Sequence, residues 1–337
     1  ARVRSSPHAR ILNRMNARTY RPASPDHEFI VPLEVRALHR ILLAACVVLA
    51  LTCPSLPAAA ADPEILVVGD SWARQIYDDG ALTAALNSAG HPEIGVLGEQ
   101  TAISGSTASE WAQASMLQIL TDELAANPAV DVVLVFVGGN DFLEGMSGGG
   151  WYVGMDPAAE AALFANIESD ITTLVDHVLG LDSDIEVVLS SYDYPNFVET
   201  LYGLLGFICR PLWEDLGEPT PAQINTTALL LYDRYEAIAA TRPRVVSVPH
   251  WGLMQRIFGY SSLGIDPGEL ALPGDASLPS PPAAMRTLGA DCFHLKPAGY
   301  DGISERLWQE ALAWSFDGVF ASGFESGDTE GWSETVP

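Results

Sequence analysis

Five short apolar runs recur along the chain, separated by longer segments whose apolar positions return every three or four residues. The runs cover 64–69 (Glu64-Ile65-Leu66-Val67-Val68-Gly69), 93–97, 131–137 (Asp131 to Val137), 185–190 and 244–248. Each reads as a strand, being short, apolar and rich in β-branched residues. The stretches 73–89, 108–125, 157–180, 222–240 and 298–315 read as amphipathic helices. Asp156-Pro157 opens the third of them with a capping side chain and a proline at the first turn. Strands alternating with helices build a parallel sheet covered on both faces. The predicted fold is thus α/β, a three-layer α/β/α sandwich with a doubly wound sheet of about five strands. Ligands bind such a sheet beyond the carboxyl ends of its strands.

Two stretches interrupt the alternation. Residues 191–221 are aromatic and proline-marked, with Tyr192, Tyr194, Phe197, Tyr202, Phe207 and Trp213. Residues 251–290 are rich in Gly, Pro and Ser. Long loops of this kind in a compact domain are functional or mobile. The first is a candidate wall for a substrate pocket, with plain core packing as the alternative.

The N-terminal residues differ in kind. Residues 1–40 carry eight of the seventeen Lys and Arg and only Asp26, Glu28 and Glu34 as acids. An apolar run, Ile41 to Leu51, and Pro54-Ser55-Leu56-Pro57-Ala58-Ala59-Ala60-Ala61 follow. Basic residues, a short apolar stretch and an A-x-A exit predict a signal peptide over 1–61, and the run is shorter than the ~20 residues of a membrane span. A start at Met15 or Val35 would give a leader of ordinary length. A lipoprotein signal at Cys46 is the minor alternative. The expected organisation is a leader and basic extension over 1–61, a catalytic domain over 62–317, and an acidic Gly/Ser-rich tail over 318–337. The expected location is secreted or periplasmic, with no stable membrane anchor.

Charge narrows the partners. The 337-residue chain has a net charge of −26 and 48% apolar residues. Without residues 1–61 the acids fall from 43 to 40 and the bases from 17 to 9, for a net charge of about −31. Such a surface repels nucleic acid and anionic bilayers. A monomer acting on a small molecule or a lipid is the expectation. Cys209 and Cys292 are the cysteines that remain after the leader. In an oxidising compartment they are expected to pair, against the alternative of two buried free thiols. No Cys/His cluster has zinc-ligand spacing, and no cofactor is expected.

The chemistry gathers in four elements. Gly69-Asp70-Ser71-Trp72 places a serine where a strand breaks into a helix, and Asp291-Cys292-Phe293-His294 comes more than two hundred residues later. A serine hydroxyl becomes a useful nucleophile when a base takes its proton. His294 can do so if Asp291 fixes its tautomer and steadies the imidazolium. The oxyanion that follows needs hydrogen-bond donors, each worth roughly 3–4 kcal/mol. The backbone N–H groups of Ser71 and Gly105 and the Asn140 amide are candidates. Gly105 lies in Ile103-Ser104-Gly105-Ser106-Thr107, and Asn140 in Gly138-Gly139-Asn140-Asp141. Ser71 and Asn140 both fall just past strand ends.

In these blocks the chain resembles the GDSL esterase/lipase family of SGNH hydrolases, over residues 64 to about 315. The resemblance implies a flavodoxin-like sandwich with Ser71 as nucleophile, His294 as base and Asp291 as its orienting acid. Ser71, Gly105 and Asn140 would form the oxyanion hole. Trp72 departs from the leucine of the family name and is expected to narrow the pocket mouth. The Asp-Cys-Phe-His and Gly-Gly-Asn-Asp forms are similar to the phospholipase B-like branch. The expected activity is hydrolysis of carboxylic esters through an acyl-enzyme. A phospholipase, a carbohydrate O-acetylesterase and a non-catalytic glycan- or lipid-binding protein are the alternatives.

Three readings compete with this one. Gly145-Met146-Ser147-Gly148-Gly149 fits the Gly-x-Ser-x-Gly elbow of α/β-hydrolases, but an elbow needs a strand before it and a helix after it. A metallophosphoesterase shares the Gly-Asp and Gly-Asn-Asp segments but needs further histidine ligands. His250, after the last strand, is the alternative base.

Overall fold

The computed structural model describes residues 64–201, 206–286 and 291–316. The predicted leader over 1–61 and tail over 318–337 lie outside them. Five strands form one sheet: β1 (Glu64–Gly69), β2 (Gly95–Leu97), β3 (Val130–Phe136), β4 (Glu186–Ser190) and β5 (Val245–Val248). All are parallel, in the order β2-β1-β3-β4-β5. Ile65 to Val68 and Val132 to Phe136 are buried, so the two central strands are apolar on both faces. β2 starts later than predicted because Pro92 and Glu93 turn before it.

Helices cover both faces. The segment predicted as one helix over 73–89 is two, α1 (Ser71–Asp78) and α2 (Ala81–Ala89). Gly80 between them takes φ 65°, a left-handed conformation that no α-helix continues through. The next segment also divides, into α3 (Ala108–Trp111) and α4 (Ala114–Ala126), with Thr107 and Glu110 forming a capping box at the start of α3. A short helix, α5 (Gly139–Leu143), follows β3. α6 (Pro157–Leu181) begins where Asp156-Pro157 predicts, the Asp156 carboxylate accepting the N–H groups of Ala158 and Ala159. α7 is Pro221–Ala239. In the stretch read as loop, α8 (Leu253–Phe258) forms beyond β5, and α9 (Pro297–Leu307) is the long helix near the C-terminal end. α6 packs against α3, α4 and α7, whereas α9 packs against α1, α2 and α8. These are the two outer layers of the sandwich.

The chain leaves β1 toward β2 on one side, and β3 lies on the other. The crevice between β1 and β3 is therefore the switch point where such sheets bind ligands. Ser71 and Asn140 stand on its two sides. Gly69 is obligatory at this place. Its φ is 136°, and a Cβ there would lie 1.9 Å from the Phe136 carbonyl oxygen. Without a side chain, β1 runs flush against β3 to its last residue, and Asp70 N–H still bonds Phe136 O at 2.9 Å.

Candidate active site

Four loops at the carboxyl end of the sheet supply the site. Ser71 is the first residue of α1, and Asp70 caps that helix by accepting the N–H of Trp72 at 2.9 Å. The cap turns the chain sharply and leaves the serine half-buried at the crevice. His294 reaches it from the opposite wall, with Nε2 2.6 Å from Ser71 Oγ. His294 Nδ1 bonds Asp291 Oδ2. The other oxygen of Asp291 accepts the N–H groups of Phe293 at 3.0 Å and His294 at 2.9 Å. One carboxylate thus shapes the turn and orients the ring. Burial works against its charge, but the bond and charge of His294 and the two backbone donors hold Asp291 below the usual carboxylate range.

The loop that carries His294 is anchored twice. Cys292 forms a disulfide with Cys209, and its carbonyl oxygen accepts the N–H of Asn196 at 2.7 Å.

Of the other candidate donors, Asn140 lines the cleft beside Ser71, and Gly105 lies in a loop bonded to the end of β1. Gly105 has φ 84° and open space where a Cβ would stand, a left-handed conformation that suits glycine. Its loop hangs from the end of β1, because Gly69 O accepts Ile103 N–H at 2.7 Å and Ser106 Oγ–H at 3.1 Å. The Asn140 amide donates to Ser106 O at 2.8 Å. Nδ2 carries two protons, and the second remains available to a ligand. Asp141 accepts Ala108 N–H at 2.7 Å and Ser109 N–H at 3.2 Å, which ties the same two loops again.

Next to Ser71 and Asn140 lies a cleft whose walls are apolar, formed by Trp72, Phe142, Leu143, Leu231, Trp251 and Phe293 among others. The aromatic stretch after β4 contributes Tyr192, Asp193 and Pro195. Trp72 is in the wall but not at the mouth. It is buried, edge-on to both Tyr192 and Tyr300. Asp70 is buried too, and loss of hydration pushes it up to about 6, while the Tyr192 hydroxyl and the Trp72 N–H pull it down.

The competing residues lie elsewhere. Ser147 sits in a short helix, Gly145–Gly148, without a preceding strand, and its hydroxyl bonds the Asp215 carboxylate at 2.7 Å. His250 is fully buried, with Nε2 2.8 Å from Ser190 Oγ. Burial, aided by Arg306, depresses it to about 3, so it stays neutral inside the core. Among the described residues no three His, Cys, Asp or Glu side chains converge as metal ligands, and no helix is long and apolar enough to cross a membrane.

Sequence reasoning offered the stretch 191–221, with Tyr192, as a candidate pocket wall, but did not single out Trp251, Ala228 or Leu231. The available signal was positional: Tyr192 and Trp251 come two or three residues past β4 and β5, where an open parallel sheet places its ligand contacts.

The model of the GDSL-like lipase/acylhydrolase family matches residues 67–301. Curated sequences give no match. Among solved structures, a family 3 carbohydrate esterase of Clostridium thermocellum aligns with TM-score 0.43 and 16% identity, covering 75% of this chain and 96% of its own. The psychrotrophic esterase EstA from Pseudoalteromonas sp. aligns with TM-score 0.42 and 16% identity, covering 75% and 98%. An extracellular lipase from Streptomyces rimosus aligns with TM-score 0.39 and 16% identity, covering 74% and 100%. With the family model spanning most of the chain, from inside β1 to within α9, the protein belongs to the GDSL-like lipase/acylhydrolase family and is a carboxylic ester hydrolase.

Proposed function

We propose that this enzyme hydrolyses esters of apolar carboxylic acids through an acyl-enzyme on Ser71. The observation that carries the proposal is the unbroken hydrogen-bonded line from Ser71 Oγ through His294 to Asp291. In the first half-reaction Ser71 Oγ attacks the ester carbonyl carbon while His294 Nε2 takes the hydroxyl proton. The carbonyl oxygen becomes an oxyanion that accepts hydrogen bonds from the N–H groups of Ser71 and Gly105 and from the Asn140 amide. The intermediate collapses, the C–O bond to the alcohol breaks, and His294 returns its proton to the departing oxygen. Water then repeats the sequence on the acyl-serine and frees the acid. Asp291 keeps Nδ1 protonated and stabilises the imidazolium throughout.

The cleft beside Ser71 favours the substrate class. Its walls offer apolar contact along an acyl chain, each buried methylene contributing about 0.8 kcal/mol. A carbohydrate O-acetyl group would leave most of that surface unused. The basic and apolar leader pattern of residues 1–61 and the Cys209–Cys292 disulfide support an exported enzyme.

The test pairs a fluorophosphonate probe with p-nitrophenyl esters of rising chain length. Ser71 should be the labelled residue, and Ser71→Ala should lose turnover by several orders of magnitude while unfolding like wild type. Full activity in Ser71→Ala would sink the proposal.

A further inference from the structure

Tyr192 belongs to neither the serine loop nor the asparagine loop, yet its hydroxyl bonds both. It donates to Asp70 Oδ2 at 2.6 Å and accepts the Gly139 N–H at 3.2 Å. Asp70 immediately precedes Ser71, and Gly139 immediately precedes Asn140. The other Asp70 oxygen holds the Trp72 N–H, on the far side of the serine. A continuous line of bonds therefore runs from the first turn of α1, through the phenol, to the start of α5.

The ring reinforces the bridge. A Cβ at Gly139 would lie 2.7 Å from Tyr192 Cζ, so the asparagine loop lies flat on the phenol. On its other side the ring meets Trp72 edge-on, with centroids 5.4 Å apart. Tyr192 is almost fully buried, so its hydroxyl has protein partners on both sides. It comes two residues after β4, and the N–H of the preceding Ser191 bonds Val248 O at 3.0 Å, which ties this segment to the end of β5. The donor directions are set as well. An ionised Asp70 can only accept and Gly139 N–H can only donate, so the phenol proton points to Asp70.

We propose that Tyr192 is a positioning residue for ester hydrolysis, holding Ser71 and Asn140 at the separation that the tetrahedral intermediate spans. The assignment rests on Ser71 being the nucleophile. It makes no contact with the reacting atoms necessary. Ground-state binding depends on the apolar walls, whereas oxyanion geometry matters at the transition state. Loss of the hydroxyl should therefore appear in kcat and leave KM nearly unchanged.

The experiment compares wild type, Tyr192→Phe, Asp70→Asn and the double variant by steady-state kinetics and by the rate of fluorophosphonate labelling. Thermal unfolding of each protein reports whether it is folded. Tyr192→Phe keeps the ring and its packing, and a displacement of the order of 1 Å costs up to about 100-fold. A fall of about 10- to 100-fold in kcat and in labelling rate is expected, with KM within about twofold. Asp70→Asn keeps an acceptor for Trp72 N–H but turns a donor toward the phenol, so it should lose kcat similarly. The double variant should be no worse than the poorer single, because both changes break one bridge. Should either single variant fail to fold, the other carries the comparison. Wild-type kcat in both folded single variants, a loss confined to KM, or losses that multiply in the double variant would overturn the assignment. Wild type that does not label at Ser71 would instead remove the nucleophile itself, and both readings with it.

Discussion

The Asn140 side-chain amide donates to the Ser106 carbonyl oxygen at 2.8 Å, so one of its protons is spent on holding the amide still. The fixed bond aims the second proton at the crevice, and the neighbouring Asp141 locks the same loops through Ala108 and Ser109. In the proposed mechanism Asn140 is an oxyanion donor that needs no reorganisation, and such a donor gives its full contribution at the transition state. Asn140→Ala is expected to lower kcat by about 10²- to 10³-fold with little effect on KM. Parallel kinetics on a short-chain ester check this, and a change in KM alone would remove Asn140 from the oxyanion site.

Asp291 serves the turn and the ring at once. Asp291→Asn keeps an oxygen that can accept the Phe293 and His294 N–H groups but presents an amide to His294 Nδ1, favouring the wrong tautomer. The expected loss in kcat is on the order of 10³- to 10⁴-fold. Asp291→Ala should lose as much and also unfold at lower temperature. Calorimetry beside the kinetics separates the two roles. Equal melting temperatures for the two variants would deny Asp291 its part in the turn.

The disulfide joins residues 83 positions apart and ends one residue from Asp291. Bridges of this kind typically contribute 2–4 kcal/mol. Replacing both cysteines by serine should lower the melting temperature by several degrees and reduce kcat through a looser His294 loop. Wild-type kcat in the serine variant would leave the bridge with a role in stability only.

Asp193 gives the fold an unusual pH response. Its oxygens accept the N–H groups of Tyr194, Gly252 and Met254, but burial outweighs them and pushes it up to about 7 from an ordinary 3.8. The folded chain then keeps this proton to higher pH than the unfolded chain. Its contribution to stability is full below about pH 3.8 and is lost as pH rises through about 7. Urea unfolding between pH 5 and pH 8 should therefore fall less steeply with pH in Asp193→Asn than in wild type. Parallel curves would contradict the shift.

Ala228 is buried in the cleft wall beside Leu231. Ala228→Phe should fill the space for a chain. Turnover of octanoyl esters is expected to fall at least tenfold, against a much smaller change for acetyl esters, at roughly 0.8 kcal/mol per methylene denied burial. Equal losses across the chain-length series would place the acyl group elsewhere.

Much of this was legible in the chain itself. The strands stand out because central parallel strands are apolar on both faces, as Ile65–Val68 and Val132–Phe136 are. Ser71, Asn140 and Asp291–His294 stand out because polar residues just past strand ends, or three apart in a loop, serve little purpose in packing. The break at Gly80 was hidden, since alternation of apolar positions continues across a left-handed residue. So was Tyr192. A tyrosine among several aromatics carries no mark of its partners, and its bonds to Asp70 and Gly139 span 122 and 53 residues. Long-range hydrogen bonds leave no local period to read.

The turn at Asp291 has a consequence for how this protein can vary. Its three bonds all close within four consecutive residues, so His294 and its support form one short covalent unit. The side chain at position 293 is absent from all three bonds, but Phe293 lines the apolar cleft and packs against the His294 ring, so a library at that position should retain activity mainly in its apolar members. A residue inserted between 291 and 293 would displace both backbone donors and the ring together, and one inserted between 293 and 294 would displace the His294 N–H and its ring. In this stretch length is constrained together with identity at Asp291, Cys292 and His294, and natural or engineered diversity here should be confined to substitutions at 293, with gaps excluded.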